Sequence, residues 1–235
     1  MNTNRKTAII AGILFITATA ASLLGTGFTG SILDAPDYLI KIFANQNQII
    51  IGVLLKFIAA GTSAGIAISL YPILRKYNEG LALGSVGFRL IEGVFYIVAA
   101  LGLLSLLSLS QEYASAGSPA ASTFQILGTL MLAVRNWASQ LGVIAFTVGA
   151  LMYYYVFYQS KLIPRFISGW GFIGAALSLA AVLLTFFDQL VPFSTVFILF
   201  NFPIFLQEMV LAVWLIVKGF NPSAIASGAA KTETN

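Results

Sequence analysis

The chain has 235 residues, 59% of them apolar and 9% charged, with 12 Lys and Arg against 8 Asp and Glu. Soluble domains carry about 25% charged residues, so this composition and a mean hydropathy of +0.93 exclude a soluble enzyme, a nucleic-acid binder and a disordered scaffold. There is no Cys and no His, which removes disulfides, thiolate nucleophiles, Cys- or His-ligated metals, haem and Ser-His dyads.

A spanning helix needs about 20 mainly apolar residues, and six stretches qualify. The first, Thr7–Thr29, follows Arg5-Lys6 and contains Ala18-Thr19-Ala20, a signal-peptide-like arrangement. Its apolar run is long enough to span, so it is read as an uncleaved first helix. Next, Asp34 and Pro36 predict the cap and first turn of a short interfacial helix, with Asp37 completing a box-like pattern. Tyr38, Leu39, Ile42 and Phe43 would face lipid there, while Lys41 and Asn45 face water. This segment is read as a connection that caps the bundle, in preference to a lid for a ligand, because amphipathic helices sit at the interface on their own account.

The second span is Gln48–Leu74, with Gly61 and Gly65 as a GxxxG packing pattern. The third is Leu81–Leu109. Ala121–Trp137 is apolar in its centre and is read as a helix at, or dipping into, the outer face. It runs into the fourth span, Ala138–Ser160, where Tyr153, Tyr154, Tyr155 and Tyr158 crowd the inner half; inner-interface anchoring explains most of them, with an aromatic pocket as the alternative. Gly169, Gly171 and Gly174 open the fifth span, Phe166–Phe187, as packing positions. The sixth, Thr195–Val217, contains Pro203, which deprives the Leu199 carbonyl of its usual partner. A kink there would open space beside Gln207 and Glu208. The expected architecture is an all-α polytopic bundle, one domain over residues 1–220, followed by a flexible tail over 221–235.

Lys and Arg favour the cytoplasmic side. With the N-terminus inside, the inner segments hold Arg5, Lys6, Arg75, Lys76, Lys161, Arg165, Lys218 and Lys231, and the outer ones only Lys41 and Arg135. If Ala121–Trp137 also spanned, every later basic loop would lie outside. The distribution therefore predicts six spans with both termini inside, Trp137 at the outer interface, and Trp170 and Trp214 at the inner one.

Four charges remain within the spans: Lys56, Arg89, Glu92 and Glu208. Each costs about 2.5–3.5 kcal/mol at the bilayer centre on the insertion scale, so such residues face the bundle interior and pair. A rise of about 1.5 Å per residue puts Glu92 and Glu208 near the midplane. Arg89 shares a helix face with Glu92, and Lys56 reaches towards the carboxylates from the outer half. Asn201, Gln207, Gln140 and Thr147 would join the same network. Such a cluster serves either as a site for a small polar or amphipathic molecule or an ion, or as interhelical ion pairs without a ligand. An enzyme would have to rely on Glu92 or Glu208 for acid–base chemistry and ranks last. No catalytic residue, cofactor or metal is assigned. The expected partners are membrane lipids and a small ligand or ion; nucleic acid is excluded, and nothing in the sequence requires a homo-oligomer.

Four stretches carry a family resemblance: Leu70–Arg75 followed by Leu81-Ala82, Phe88–Glu92, Gln159–Arg165, and Glu208 through Trp214–Gly219. With the opening Arg5–Leu24, the chain resembles domain-of-unknown-function family 4386, multi-pass membrane proteins of bacteria and archaea, over nearly its whole length. The resemblance implies a prokaryotic cytoplasmic-membrane protein and no established reaction. Members of that family often carry a His near the outer start of the fourth span. Arg135-Asn136-Trp137 stands there in this chain, which leaves no imidazole for such a role.

Overall fold

The computed structural model describes residues 3–116, 121–192 and 194–233, with the side chains at 116, 121 and 229–233 excluded. The side chain of Lys231, which enters the sequence-based charge distribution, therefore lies outside the described set. The described residues form eight helices: α1 (Thr3–Leu33), α2 (Tyr38–Ala44), α3 (Gln46–Leu74), α4 (Glu79–Ala116), α5 (Ala121–Ser160), α6 (Arg165–Phe186), α7 (Thr195–Val217) and α8 (Pro222–Glu233). Among them, α1, α3, α4, α5, α6 and α7 are long and apolar enough to cross a membrane, as the sequence predicts.

The helix running into the fourth span is also observed. α5 continues unbroken for 40 residues, because the chain has no proline between Pro119 and Pro164 to interrupt its hydrogen-bond ladder. At about 1.5 Å per residue, α4 and α5 are roughly 57 and 60 Å long. Each is about twice as long as the hydrocarbon core of about 30 Å requires.

The chain groups into two compact units, Met1–Thr17 with Thr62–Glu92 and Val143–Asn235, and Ala18–Gly61 with Gly93–Gly142. The boundaries fall inside α1, α3, α4 and α5, each of which is continuous through its boundary.

In the second unit, α2 departs from the sequence reading. It starts at Tyr38, not beside Pro36, and its N-cap residue is Asp37, which makes no side-chain cap bond. The Asp37 carboxylate instead lies 3.6 Å from Lys41 on an exposed surface. Tyr38, Leu39 and Ile42 do not face lipid. They are buried with Ile32, Leu33, Ile49, Leu103 and Leu106, and of the four apolar positions only Phe43 remains exposed. Lipid tails and a protein core are equally apolar, so an amphipathic stripe alone does not distinguish them. The Tyr38 ring lies against Gly128, where a Cβ would overlap it, and its hydroxyl reaches the Gln125 carbonyl at 3.5 Å.

The first unit contains α6 and α7 together with parts of α1, α3, α4 and α5. α6 and α7 pack closely beside Pro203. A Cβ on Gly174 would sit 2.9 Å from the Ile204 nitrogen. In the GxxxG pattern, Gly65 admits Leu14 of α1, while Gly61 faces open space. Just past the end of α7 stands Gly219, whose φ of 75° suits glycine. The open carbonyls of α7 are met by Arg5, which donates to Leu215, Ile216 and Val217 at 2.9, 2.5 and 3.2 Å.

The segment expected to be a flexible tail contains α8. Asn221 precedes it and accepts from the Ser223 amide at 3.2 Å, Pro222 occupies the first turn, and the Asn221 amide donates to the Leu162 carbonyl at 2.8 Å. Tyr77 donates to the Ala224 carbonyl at 2.5 Å. These bonds supply the anchoring that the small, polar composition of the segment does not announce. Thr234 and Asn235, the end of the expected tail, lie outside the described residues.

Candidate functional site

The polar centre of the first unit begins on α4. Arg89 and Glu92 stand one turn apart on one helix face, and the guanidinium contacts Glu92 Oε2 at 2.9 Å with side chains only 3% and 5% exposed. Ser63 of α3 donates to the same oxygen at 2.5 Å. The Arg89 guanidinium also lies over the rings of Phe146 and Tyr153, at 5.0 and 5.9 Å. These aromatic faces shield the cation from lipid while still attracting it.

Tyr153 is wholly buried and meets Phe15, Tyr154 and Phe157, with ring centroids 6.2, 4.5 and 6.1 Å away. Tyr154 donates to Gln207 Oε1 at 2.5 Å, and Gln207 Nε2 donates to the Ile167 carbonyl at 2.9 Å. One neutral side chain thus ties α5, α6 and α7 together. Gly171 makes this fit, since a Cβ there would overlap the Tyr154 ring. Glu208, next to Gln207 on α7, is buried as well.

Of the residues nominated from sequence, Arg89, Glu92, Gln207 and Glu208 occur in the buried interior of this unit. Asn201 belongs to the same unit but is held elsewhere. It accepts from Ser178 at 2.6 Å and donates to the Phe197 carbonyl at 2.8 Å. Thr147 turns its hydroxyl back onto the Val143 and Ile144 carbonyls. Lys56 and Gln140 lie in the second unit. There the Lys56 ammonium stands 5.9 Å from the Tyr96 ring centroid, and the Tyr96 hydroxyl meets Ser22 at 3.2 Å.

Sequence reasoning does not find Ser63, Phe146, Tyr153 or Tyr154 as parts of this centre. Ser63 lies inside the GxxxG pattern, which reads as packing. Interface anchoring accounts in sequence for most of the fourth-span tyrosines; Tyr155 and Tyr158 are exposed, whereas Tyr153 and Tyr154 are core, as the alternative of an aromatic pocket requires. Their spacing relative to Phe157 is the available signal, because positions 153 and 157 share a helix face.

Chemically, the first unit buries two carboxylates and one guanidinium among its described residues. The six apolar helices and this interior polar set define a multi-pass α-helical membrane protein. The chain belongs to the family described as domain of unknown function (DUF4386), whose model matches residues 10–219. No curated protein and no solved structure matches the chain.

Proposed function

We propose that this protein binds a proton, or a small inorganic cation in its place, at the buried Arg89, Glu92 and Glu208 set, in the cytoplasmic membrane of a prokaryote with both termini inside. The observation carrying this reading is the burial of two carboxylates, Glu92 and Glu208, within the apolar helices of the first unit. A charged carboxylate in a lipid-embedded interior is costly, and a proton or bound cation removes its charge. Phe15, Tyr154 and Phe157 pack on Tyr153, whose ring lies beside the Arg89 guanidinium, and such close aromatic packing suits a proton or small cation better than a larger polar molecule.

The alternative is that the charges only hold helices together. The Arg89–Glu92 pair lies within α4 and joins no two helices. Glu92 also accepts from Ser63 of α3, and Arg89 lies over two rings of α5, so these charges contribute links between helices as well. The binding reading differs in requiring a protonated or cation-bound carboxylate.

Infrared spectroscopy of the purified protein tests the reading, with and without sodium or potassium. A carboxylic-acid C=O band that Glu92→Gln or Glu208→Gln removes, or a cation-dependent shift of the carboxylate bands, is expected. If wild-type protein shows neither signal across the pH range in which it stays folded, the reading fails. Dissipation of an imposed pH gradient in proteoliposomes, reduced by Glu208→Gln, would extend binding to transport.

A further inference from the structure

A second site lies where several helices of the first unit end. A cavity of about 460 Å³ is walled by Lys161, Arg165, Trp214, Lys218, Asn221 and Pro222, among others. That volume is within the usual range for small-molecule sites, about 300–1,000 Å³. Lys161 follows α5, Arg165 opens α6, Lys218 follows α7 and Pro222 opens α8. The Asn221-to-Leu162 backbone bond joins the two loops that supply these residues.

Three cations line this cavity, and no carboxylate is among its described lining residues. Orientation accounts for basic residues at one end of the spans. It does not require three of them, from two loops, to share one cavity. Lys161 takes a left-handed backbone conformation, φ 57°, within the turn between α5 and α6. Arg165 is positioned by Tyr158, whose ring centroid lies 5.1 Å from the guanidinium and whose carbonyl accepts from Nε at 3.4 Å. With Nε so used, the terminal amino groups still offer the forked geometry that suits phosphate. Trp214 contributes an indole, a side chain suited to the boundary between apolar and polar surroundings.

We infer that this cavity binds a phosphate-bearing anion, either an anionic phospholipid headgroup or a soluble phosphate. The site is separate in residues from the buried Arg89, Glu92 and Glu208 set, and its test does not depend on proton binding there.

Native mass spectrometry of the full-length protein in neutral detergent is the experiment, with phosphatidylglycerol, phosphatidylcholine and inorganic phosphate as probes. Detergent removes the membrane surface potential, so the reading reports the cavity and not general attraction to an anionic bilayer. Wild-type protein is expected to retain phosphatidylglycerol over phosphatidylcholine. Each of Lys161→Gln, Arg165→Gln and Lys218→Gln should weaken that retention by about fivefold, the usual worth of one basic residue near an anionic headgroup. Lys76→Gln, outside the lining, should leave it unchanged. If inorganic phosphate displaces the lipid at equal concentration, the site serves a soluble anion; if it does not, the site serves the lipid. Retention unaffected by all three substitutions, or no preference for any phosphate anion over phosphatidylcholine, overturns the inference. The single substitutions lie on exposed positions, and melting curves identify any that fails to fold, leaving the other two to decide.

Discussion

Gln207 is the residue on which three helices depend. Gln207→Leu keeps most of the side-chain volume but leaves the Tyr154 hydroxyl and the Ile167 carbonyl without the partners described above. A buried polar group stripped of its bond costs about 1–3 kcal/mol, so we expect a clearly lower melting temperature in detergent. Tyr154→Phe removes one of the stranded groups, and the double variant should therefore lose less than the sum of the singles. Glycines offer a matched contrast. Gly171→Ala would press on Tyr154, and overpacking costs about 1–3 kcal/mol. Gly61→Ala meets nothing within 4 Å, and alanine is a better helix former by about 1 kcal/mol. Melting should fall for the first and stay level or rise for the second; equal behaviour would contradict the packing described. The sequence reads both glycines as packing positions, and what separates them is which partner faces each.

At the scale of elements, helix ends carry information that the apolar runs do not. Ser194 caps α7 by accepting from the Phe197 amide at 3.3 Å. At its other end Arg5 spreads its guanidinium over three carbonyls. Arg5→Lys keeps the charge but not the fork, so we expect it to destabilise nearly as much as Arg5→Gln in a melting assay. Recovery of full stability by lysine would show that charge alone suffices. α8 is attached through Tyr77, and burial holds that hydroxyl above its ordinary value of 10.0, opposed by a hydrogen bond with Ser227. A raised folded value means the folded state holds the proton more tightly. The contribution is therefore complete below the ordinary value and disappears as pH rises through the higher folded one. Amide exchange in α8 should accelerate at strongly alkaline pH in wild type, and Tyr77→Phe should remove that step. The long helices are legible because apolar runs declare themselves. The bounds of α2 and the existence of α8 are not, since short helices depend on what they pack against and on single caps.

For the whole molecule, six apolar helices follow directly from the sequence, and the buried charges follow from their cost in lipid. The grouping of those charges does not. Depth along a helix places Lys56, Glu92 and Glu208 in height only, and nothing in the sequence says which side of its helix faces which neighbour. Lys56 belongs to one compact unit and Glu92 and Glu208 to the other, a division that height along the helices does not reveal. The same limitation hides the cavity at Lys161, Arg165 and Lys218, which stand in sequence as orientation signals in two loops. Orientation itself has a clean test, because the chain has no cysteine. Gln159→Cys and Gln189→Cys should react with impermeant maleimide from the inside and the outside respectively; the opposite result reverses the proposed topology.

The Arg5 contacts also bear on the order in which the chain is made. The guanidinium and its carbonyls are separated by 210 to 212 residues. Arg5 is therefore synthesised long before its acceptors, which are made only when the last apolar helix is. N-terminal parts enter the folding process first, so this contact must wait until α7 is complete. A ribosome-stalled chain ending before Leu215 lacks every one of these acceptors, and the first helix then keeps its cation without the carbonyls that hold it. The end of α7 thus fastens α1 only once Leu215, Ile216 and Val217 have been made.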